Sequence, residues 1–426
     1  MSIIELGEVR DEPASAPPVR RPRAAGRPLR CAAVLLLALV VLAGATPAPV
    51  RQVSLVPTSP GATAYLAEDG VFVVDPSTSV GDRFLTAYAQ PSPVPGAGVR
   101  RRWQAPLTRT GDVLGVRAER GLVLMMGTSA ANGVFQTTAF DAGTGQRRWQ
   151  HPGIAEWAVD GGLLLMDTMT GGPGAISRVT PDAGRVLWSV PVPPPGNPGY
   201  RVSDGRVDQF VLVQPTGELQ VHDGATGSLL RSVDTLSGDR AAFQRVQVVG
   251  DLLLLVPPGS TGLVGYGLPR LEDRWTADVP LVSYVVGCGA LLCALQQTGG
   301  IQTLDPATGA VRWSDPGRDR LIDVRQGRLL VAGPEQRYAV RDAATGRTRT
   351  ELGQWDLVPT PGRGRPLIGV RSSDDDRLVV AELDLVAGRP RILDVLPDVL
   401  GGCQAALPVL LCRRVDGSTA LWWLRS

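Results

Sequence analysis

Short apolar runs separated by turns dominate the chain from about residue 60 onward. LVLMM at 122–126, LLLM at 163–166, LLLLV at 252–256, ALLCAL at 290–295 and RLLV at 328–331 are each bounded by Gly, Asp or Pro. A second, more polar run follows each Gly-rich turn: ISRV at 176–179, LQVH at 219–222, IQTL at 301–304 and YAVR at 338–341. Runs of this length and punctuation are strands, and nothing in this region has the length or period of a helix.

The runs recur with one kind of turn. The segment 141–149 reads DAGTGQRRW, and DGATG at 223–227, DPATGAVRW at 305–313 and DAATG at 342–346 repeat it. TPDAGRVLW at 180–188 and LDLVAG at 383–388 are degenerate copies, and EDRW at 272–275 keeps only the aromatic end. The position four before the Trp falls at 145, 184, 227, 271, 309, 346 and 388, so the period is about forty residues. The turn has a local cause. The side chains of Asp141, Asp223, Asp305 and Asp342 accept backbone N–H groups across it. Gly145, Gly184, Gly227, Gly309 and Gly346 supply a positive φ. Trp149, Trp188 and Trp313 supply apolar area for packing between units. These roles are structural and need no ligand.

Four strands in about forty residues is the period of a propeller blade. The expectation is an all-β propeller, most simply of eight four-stranded blades, preceded by one transmembrane helix. Repeats end near Trp103, Trp149, Trp188, Leu230, Trp275, Trp313, Thr350 and Leu393. The remainder from Cys403 to Ser426, with Arg51–Pro57 beside it, would close the ring; raw counting gives eight or nine, and eight is the usual upper size. An open β-solenoid is the runner-up.

The unit G-x-L-x-x-x-D-x-x-T-G-x-x-x-W resembles the PQQ-like propeller repeat of quinoprotein dehydrogenases and of BamB-type assembly lipoproteins, clearly over 116–396 and weakly in the flanks. The resemblance implies the fold and leaves function open. Quinoprotein dehydrogenases carry a quinone, a metal beside it, an aspartate base and adjacent cysteines. This chain has no Cys-Cys pair, and its repeat aspartates are placed in turns. The expectation is therefore no enzyme, no cofactor and no metal. An oxidoreductase using PQQ or another small ligand in the channel is the alternative.

Residues 1–30 are Arg- and Pro-rich without apolar periodicity, the pattern of a disordered cytoplasmic tail. The uncharged run 31–50 follows Arg20, Arg21, Arg23, Arg27 and Arg30, and twenty helical residues span about 30 Å. The expectation is a single-pass signal-anchor at the cell membrane, with the N-terminus cytoplasmic and residues 51–426 extracytoplasmic. A cleaved signal peptide with core Ala32–Leu42 and cleavage after Ala43-Gly44-Ala45 is the competing reading. The membrane through 31–50, and a protein or envelope polymer on one propeller face, are the expected partners.

Charge removes other classes. All 43 basic residues are Arg, against 41 acidic ones, and the part after residue 30 is neutral. Nucleic-acid binding is therefore not expected. Two histidines, His151 and His222, exclude a His-rich metal site, and the run Asp374-Asp375-Asp376 has the spacing of a solvated loop. Of five cysteines, Cys31 lies at the membrane run. Cys288 and Cys293 belong to the sixth repeat, Cys403 and Cys412 to the terminal one. Pairing within each hairpin is expected, with buried free thiols as the alternative. The second pair is symmetric about Leu407-Pro408 and the first about Ala290-Leu291, and each short loop would contribute under about 3 kcal/mol.

Overall fold

The computed structural model describes residues 32, 34–36, 52–76, 83–90, 98–108, 110–167, 173–194, 198–235, 245–256, 262–268, 270–360, 364–373, 375 and 377–424. It divides into two compact units, Met1–Arg51 and Gln52–Ser426.

In the first unit, Ala32 and Val34 to Leu36 are helical. A spanning helix needs about 20 residues. Among the described residues no helix is long and apolar enough to cross a membrane. The transmembrane anchor expected at 31–50 is therefore not supported, and neither is the single-pass topology that depended on it. Most of 31–50, the tail 1–30, Cys31 and the Ala43-Gly44-Ala45 site lie outside the described residues.

The second unit is a nine-bladed β-propeller. Nine four-stranded antiparallel sheets follow one another along the chain. Blade I covers 63–106, II 110–152, III 154–192, IV 199–234, V 245–278, VI 282–315, VII 320–354 and VIII 356–397. Blade IX takes Val399–Ala406, Val409–Arg414 and Thr419–Trp423 from the C-terminal end and Val53–Val56 from the N-terminal end. Val53 pairs with Trp422 and Val56 with Thr419 in that last sheet.

Nine blades replace the expected eight. The terminal remainder and the segment before blade I form a full blade in their own right, so the higher of the two raw counts holds and the usual upper size of eight does not apply. It lacks the repeat signature because its third and fourth strands come from opposite ends of the chain, so the D-x-x-T-G turn has no place in it.

The core is distributed between blades. Nine apolar clusters occupy the nine interfaces. Trp103 packs with Val123, Met125 and Phe140 between I and II. Val71 and Val73 pack with Val409, Leu411 and Leu421 between I and IX, which closes the ring. First strands of neighbouring blades touch, for instance Thr63–Ala67 with Thr110–Glu119, so they surround the centre. The strands ending each repeat form the rim. Alternation explains this layout: middle strands such as Leu122–Ser129 are buried on both faces, while rim strands such as Arg100–Pro106 expose every second residue.

Candidate interaction surfaces

The repeat turns are closed by their own aspartates. Asp141 Oδ1 accepts the N–H of Gly143 at 3.1 Å, the N–H of Thr144 at 2.8 Å and the Thr144 hydroxyl at 2.9 Å. Asp223 does the same with Ala225 and Thr226, Asp342 with Ala344 and Thr345, and Asp305 with the N–H groups of Ala307 and Thr308. Gly145, Gly227, Gly309 and Gly346 sit at φ between 68° and 73°.

The second carboxylate oxygen meets an arginine. Arg148 donates to Asp141 Oδ2 at 2.6 Å, Arg349 to Asp342 at 2.8 Å, and Arg312 to Asp305. These guanidinium hydrogen bonds, reinforced by the turn donors, hold Asp141 far below the usual carboxylate range and depress Asp305. Arg349 is likewise the main cause that brings Asp342 to about 2. Arg328 reaches the same Asp342 oxygen at 2.6 Å. These carboxylates are committed to structure. The arginine immediately before the Trp is a partner the sequence reading missed; its signal is the recurring Arg-Trp pair at 102–103, 148–149, 274–275 and 312–313.

Each tryptophan belongs to one blade and acts on the next. The indole N–H of Trp149 donates to the Pro181 carbonyl at 2.8 Å, and a Cβ on Gly184 would stand 2.4 Å from its ring. Trp103, Trp188, Trp275 and Trp313 repeat this on Ala142, Ala225, Pro306 and Ala343, with Gly145, Gly227, Gly309 and Gly346 beneath the rings. The turn glycine thus meets two demands, a left-handed backbone and room for the neighbour's indole.

The two histidines are not brought together. His151 Nε2 donates to the Gly184 carbonyl at 2.7 Å, on blade II. His222 is buried on blade IV and stacks on Phe210 with ring centres 5.0 Å apart. Asp374 and Asp376 lie outside the described residues, and Asp375 pairs with Arg377 at 3.2 Å. Among the described residues no group of three or more His, Cys, Asp or Glu could hold a metal.

Two disulfides are formed, Cys288–Cys293 and Cys403–Cys412, with Cα separations of 5.8 and 4.1 Å. Cys403 and Cys412 flank the Leu407-Pro408 turn. The other hairpin turns differently from its expected centre: Cys288 pairs with Leu291 and Val286 with Cys293, so the turn is Gly289-Ala290 and the bridge runs diagonally. Gly289, at φ 81°, decides this.

Among the described residues, two cavities open on the ring. One of about 290 Å³ lies where blades VIII, IX and I meet, lined by Glu68, Gln90, Thr360, Arg365 and the 405–408 turn, with Arg365 paired to Glu68 across it. The other, about 220 Å³, lies on blade II beside Phe135, Gln150 and His151. Near the centre, Arg117 pairs with Glu156 at 3.0 Å and Arg206 with Glu119 at 3.2 Å, tying together blades II to IV.

Comparison with known proteins follows the same lines. No curated protein matches the chain. BamB from Moraxella catarrhalis is 11% identical, with 87% of this chain and 97% of that one covered and a TM-score of 0.43. The computationally designed Ika8 protein is 14% identical over 74% and 97%, at 0.47. The C-terminal WD40 domain of Sif2 is 8% identical over 89% and 100%, at 0.46. A family model described as outer membrane protein assembly factor BamB matches residues 132–316, and together with the repeat turn it supports a PQQ-like β-propeller.

Proposed function

We propose that this protein is a non-catalytic binding scaffold of the cell envelope that presents its propeller to a protein partner. The observation that carries this reading is the use of the repeat carboxylates. Asp141, Asp305 and Asp342 are each saturated by turn N–H groups and an arginine, so they are not available as a metal ligand or base. Two disulfides fit an oxidising compartment. The matching family is described as an assembly factor, a role consistent with protein partners.

The test has two arms. The purified protein is loaded with PQQ and calcium and assayed for alcohol and sugar oxidation with an artificial acceptor; no turnover is expected. In parallel, crosslinking in native cell envelopes followed by mass spectrometry should recover the same partner in replicate preparations. Cofactor-dependent turnover would replace the scaffold with the oxidoreductase alternative.

A further inference from the structure

Glu68 and Arg365 form an ion pair unlike those of the repeat turns. Glu68 follows Thr63–Ala67 of blade I, and Arg365 precedes Ile368–Ser372 of blade VIII. The pair therefore joins the two neighbours of blade IX across the seam of the ring. Asp141, Asp305 and Asp342 are filled by turn N–H groups and an arginine, whereas among the described residues Glu68 accepts only from Arg365 Nη2. One guanidinium nitrogen and one carboxylate oxygen are engaged, which leaves the other donors of Arg365 and the other oxygen of Glu68 unspent. The Arg365 side chain is 50% exposed and that of Glu68 63%.

The same pair borders the cavity of about 290 Å³. The 405–408 turn and Pro366 give this cavity apolar walls. Gln90 donates its amide N–H to the Ala67 carbonyl at 3.2 Å. Neither the Gln90 Oε1 nor the Thr360 hydroxyl has a partner among the described residues. Charge decides the class of ligand that fits. An anion on Arg365 meets the Glu68 carboxylate as a like charge, and a cation on Glu68 meets the guanidinium in the same way. A molecule with an ammonium and a carboxylate on one carbon completes an alternating set of four charges and leaves none unpaired. Volume sets the size: the cavity falls just below the range of about 300–1,000 Å³ that holds drug-sized ligands, so it takes one small molecule.

We propose that this cavity binds a free α-amino acid with an aliphatic side chain. The ligand carboxylate lies on Arg365, its ammonium on Glu68 and its side chain on the Leu407-Pro408 wall. The Thr360 hydroxyl donates to the carboxylate, and Gln90 Oε1 accepts from the ammonium. Blades VIII, IX and I all contribute, so the bound ligand fastens the seam and links ring closure to ligand concentration. Such binding needs no turnover and holds whether or not a protein partner occupies another face.

The probes are leucine, leucinamide and N-acetylleucine, titrated calorimetrically into the full-length protein. They share a side chain and carry, respectively, both charges, the ammonium alone and the carboxylate alone. Leucine should bind about tenfold or more tightly than either. It should also raise the unfolding midpoint and slow amide hydrogen exchange in 63–67 and 399–406. Glycine, which lacks the side chain, should bind more weakly than leucine. Glu68→Gln should bring leucine down to the level of N-acetylleucine, and Arg365→Gln to the level of leucinamide. An ion pair this exposed adds little stability, so both variants should keep the wild-type midpoint without ligand. No binding of leucine, equal binding of the three compounds, or wild-type leucine affinity in either variant overturns the proposal, and the first two outcomes need no variant. So does protection confined to strands away from the seam, because the ligand then sits elsewhere. Envelope crosslinks and oxidase turnover report on the scaffold alone and leave these outcomes unchanged.

Discussion

Trp149 of blade II lies against Gly184 of blade III, where a Cβ would come within 2.4 Å of the indole. The contact joins a residue that ends one repeat to a residue that closes the turn of the next. Five interfaces share it, those crossed by Trp103, Trp149, Trp188, Trp275 and Trp313. Blade IV carries Arg231 at the Trp position, and the turn of blade V that would receive an indole has Leu271 at φ 55° in place of glycine. Donor and acceptor are lost together, and Leu268 and Leu271 fill the space instead, packed against Leu219 and Val221.

Replacing Gly184 by Ala therefore meets two penalties, a left-handed φ of 63° and a steric clash with Trp149. The expected loss is at least about 2 kcal/mol. Trp149→Phe keeps a ring but removes the N–H that Pro181 accepts, and should lose about 1 kcal/mol from the hydrogen bond, plus some packing. Urea unfolding of the two variants measures both. A Gly184→Ala midpoint equal to wild type would show that the neighbour yields without cost.

Acid should loosen the repeat turns. A carboxylate whose folded pKa is depressed stabilises the fold above its unfolded value, about 3.9, and that contribution is lost as pH falls through the folded value. For Asp342 the folded value is about 2, so the window runs from about pH 4 down to about 2. Asp141 and Asp305 shift in the same direction. Asp342→Asn should be less stable than wild type at pH 7, with the difference shrinking across that window. Unfolding midpoints at pH 7, 4 and 2.5 provide the comparison, and a gap that widens in acid contradicts the assignment.

Much of the blade was legible because its turn has a local cause: Asp, Gly and Trp at fixed spacing declare a hairpin and the contact that follows it. Blade IX was legible as a pair of chain ends that closes the ring, but not as a full ninth blade, because its chain is split and no turn joins Thr419–Trp423 to Val53–Val56. Arg148, Arg312 and Arg349 were visible as letters but not as partners of the turn aspartates, since the one extra residue each adds to its rim strand leaves no mark on period-two alternation. Interblade pairing by side chains was hidden for a different reason. Gln247 Oε1 accepts the N–H of Val285 at 2.8 Å, and Thr137 Oγ1 that of Ala155 at 3.0 Å, between strands far apart in sequence.

The cysteines offer a test of the hairpins. Non-reducing peptide mapping of protein prepared under oxidising conditions should return Cys288–Cys293 and Cys403–Cys412, with no bridge between the pairs. Both pairs are buried in interblade clusters, Cys288 and Cys293 beside Leu329 and Val331, Cys403 and Cys412 beside Val380 and Leu396. Reduction should therefore be slow in native buffer and fast in denaturant. Rapid alkylation after mild native reduction would contradict that burial.

The ring closes on Gln404 as well as on Val53–Val56. The Gln404 amide accepts the Leu66 N–H at 2.8 Å and donates to the Ala64 carbonyl at 2.7 Å, so one side chain stands in for a strand between blades IX and I. Residues 57–62 join Val53–Val56 of blade IX to blade I, whereas the C-terminal strands Val399–Trp423 meet Val53–Val56 and blade I only through non-covalent contacts, and these two hydrogen bonds are among them. Gln404→Leu leaves a backbone donor and acceptor without their partner and should lose about 2–4 kcal/mol. Gln404→Glu keeps the acceptor and loses the donor while ionised, which raises the folded carboxyl above its unfolded value, so it should be destabilised at pH 7 and recover as pH falls toward that unfolded value of about 4.3. Amide exchange in Thr63–Ala67 should quicken in both variants at pH 7, and for Gln404→Glu the relative acceleration should shrink in acid. Exchange confined to blade IX, with Thr63–Ala67 unchanged, would place the closing contact elsewhere on the seam.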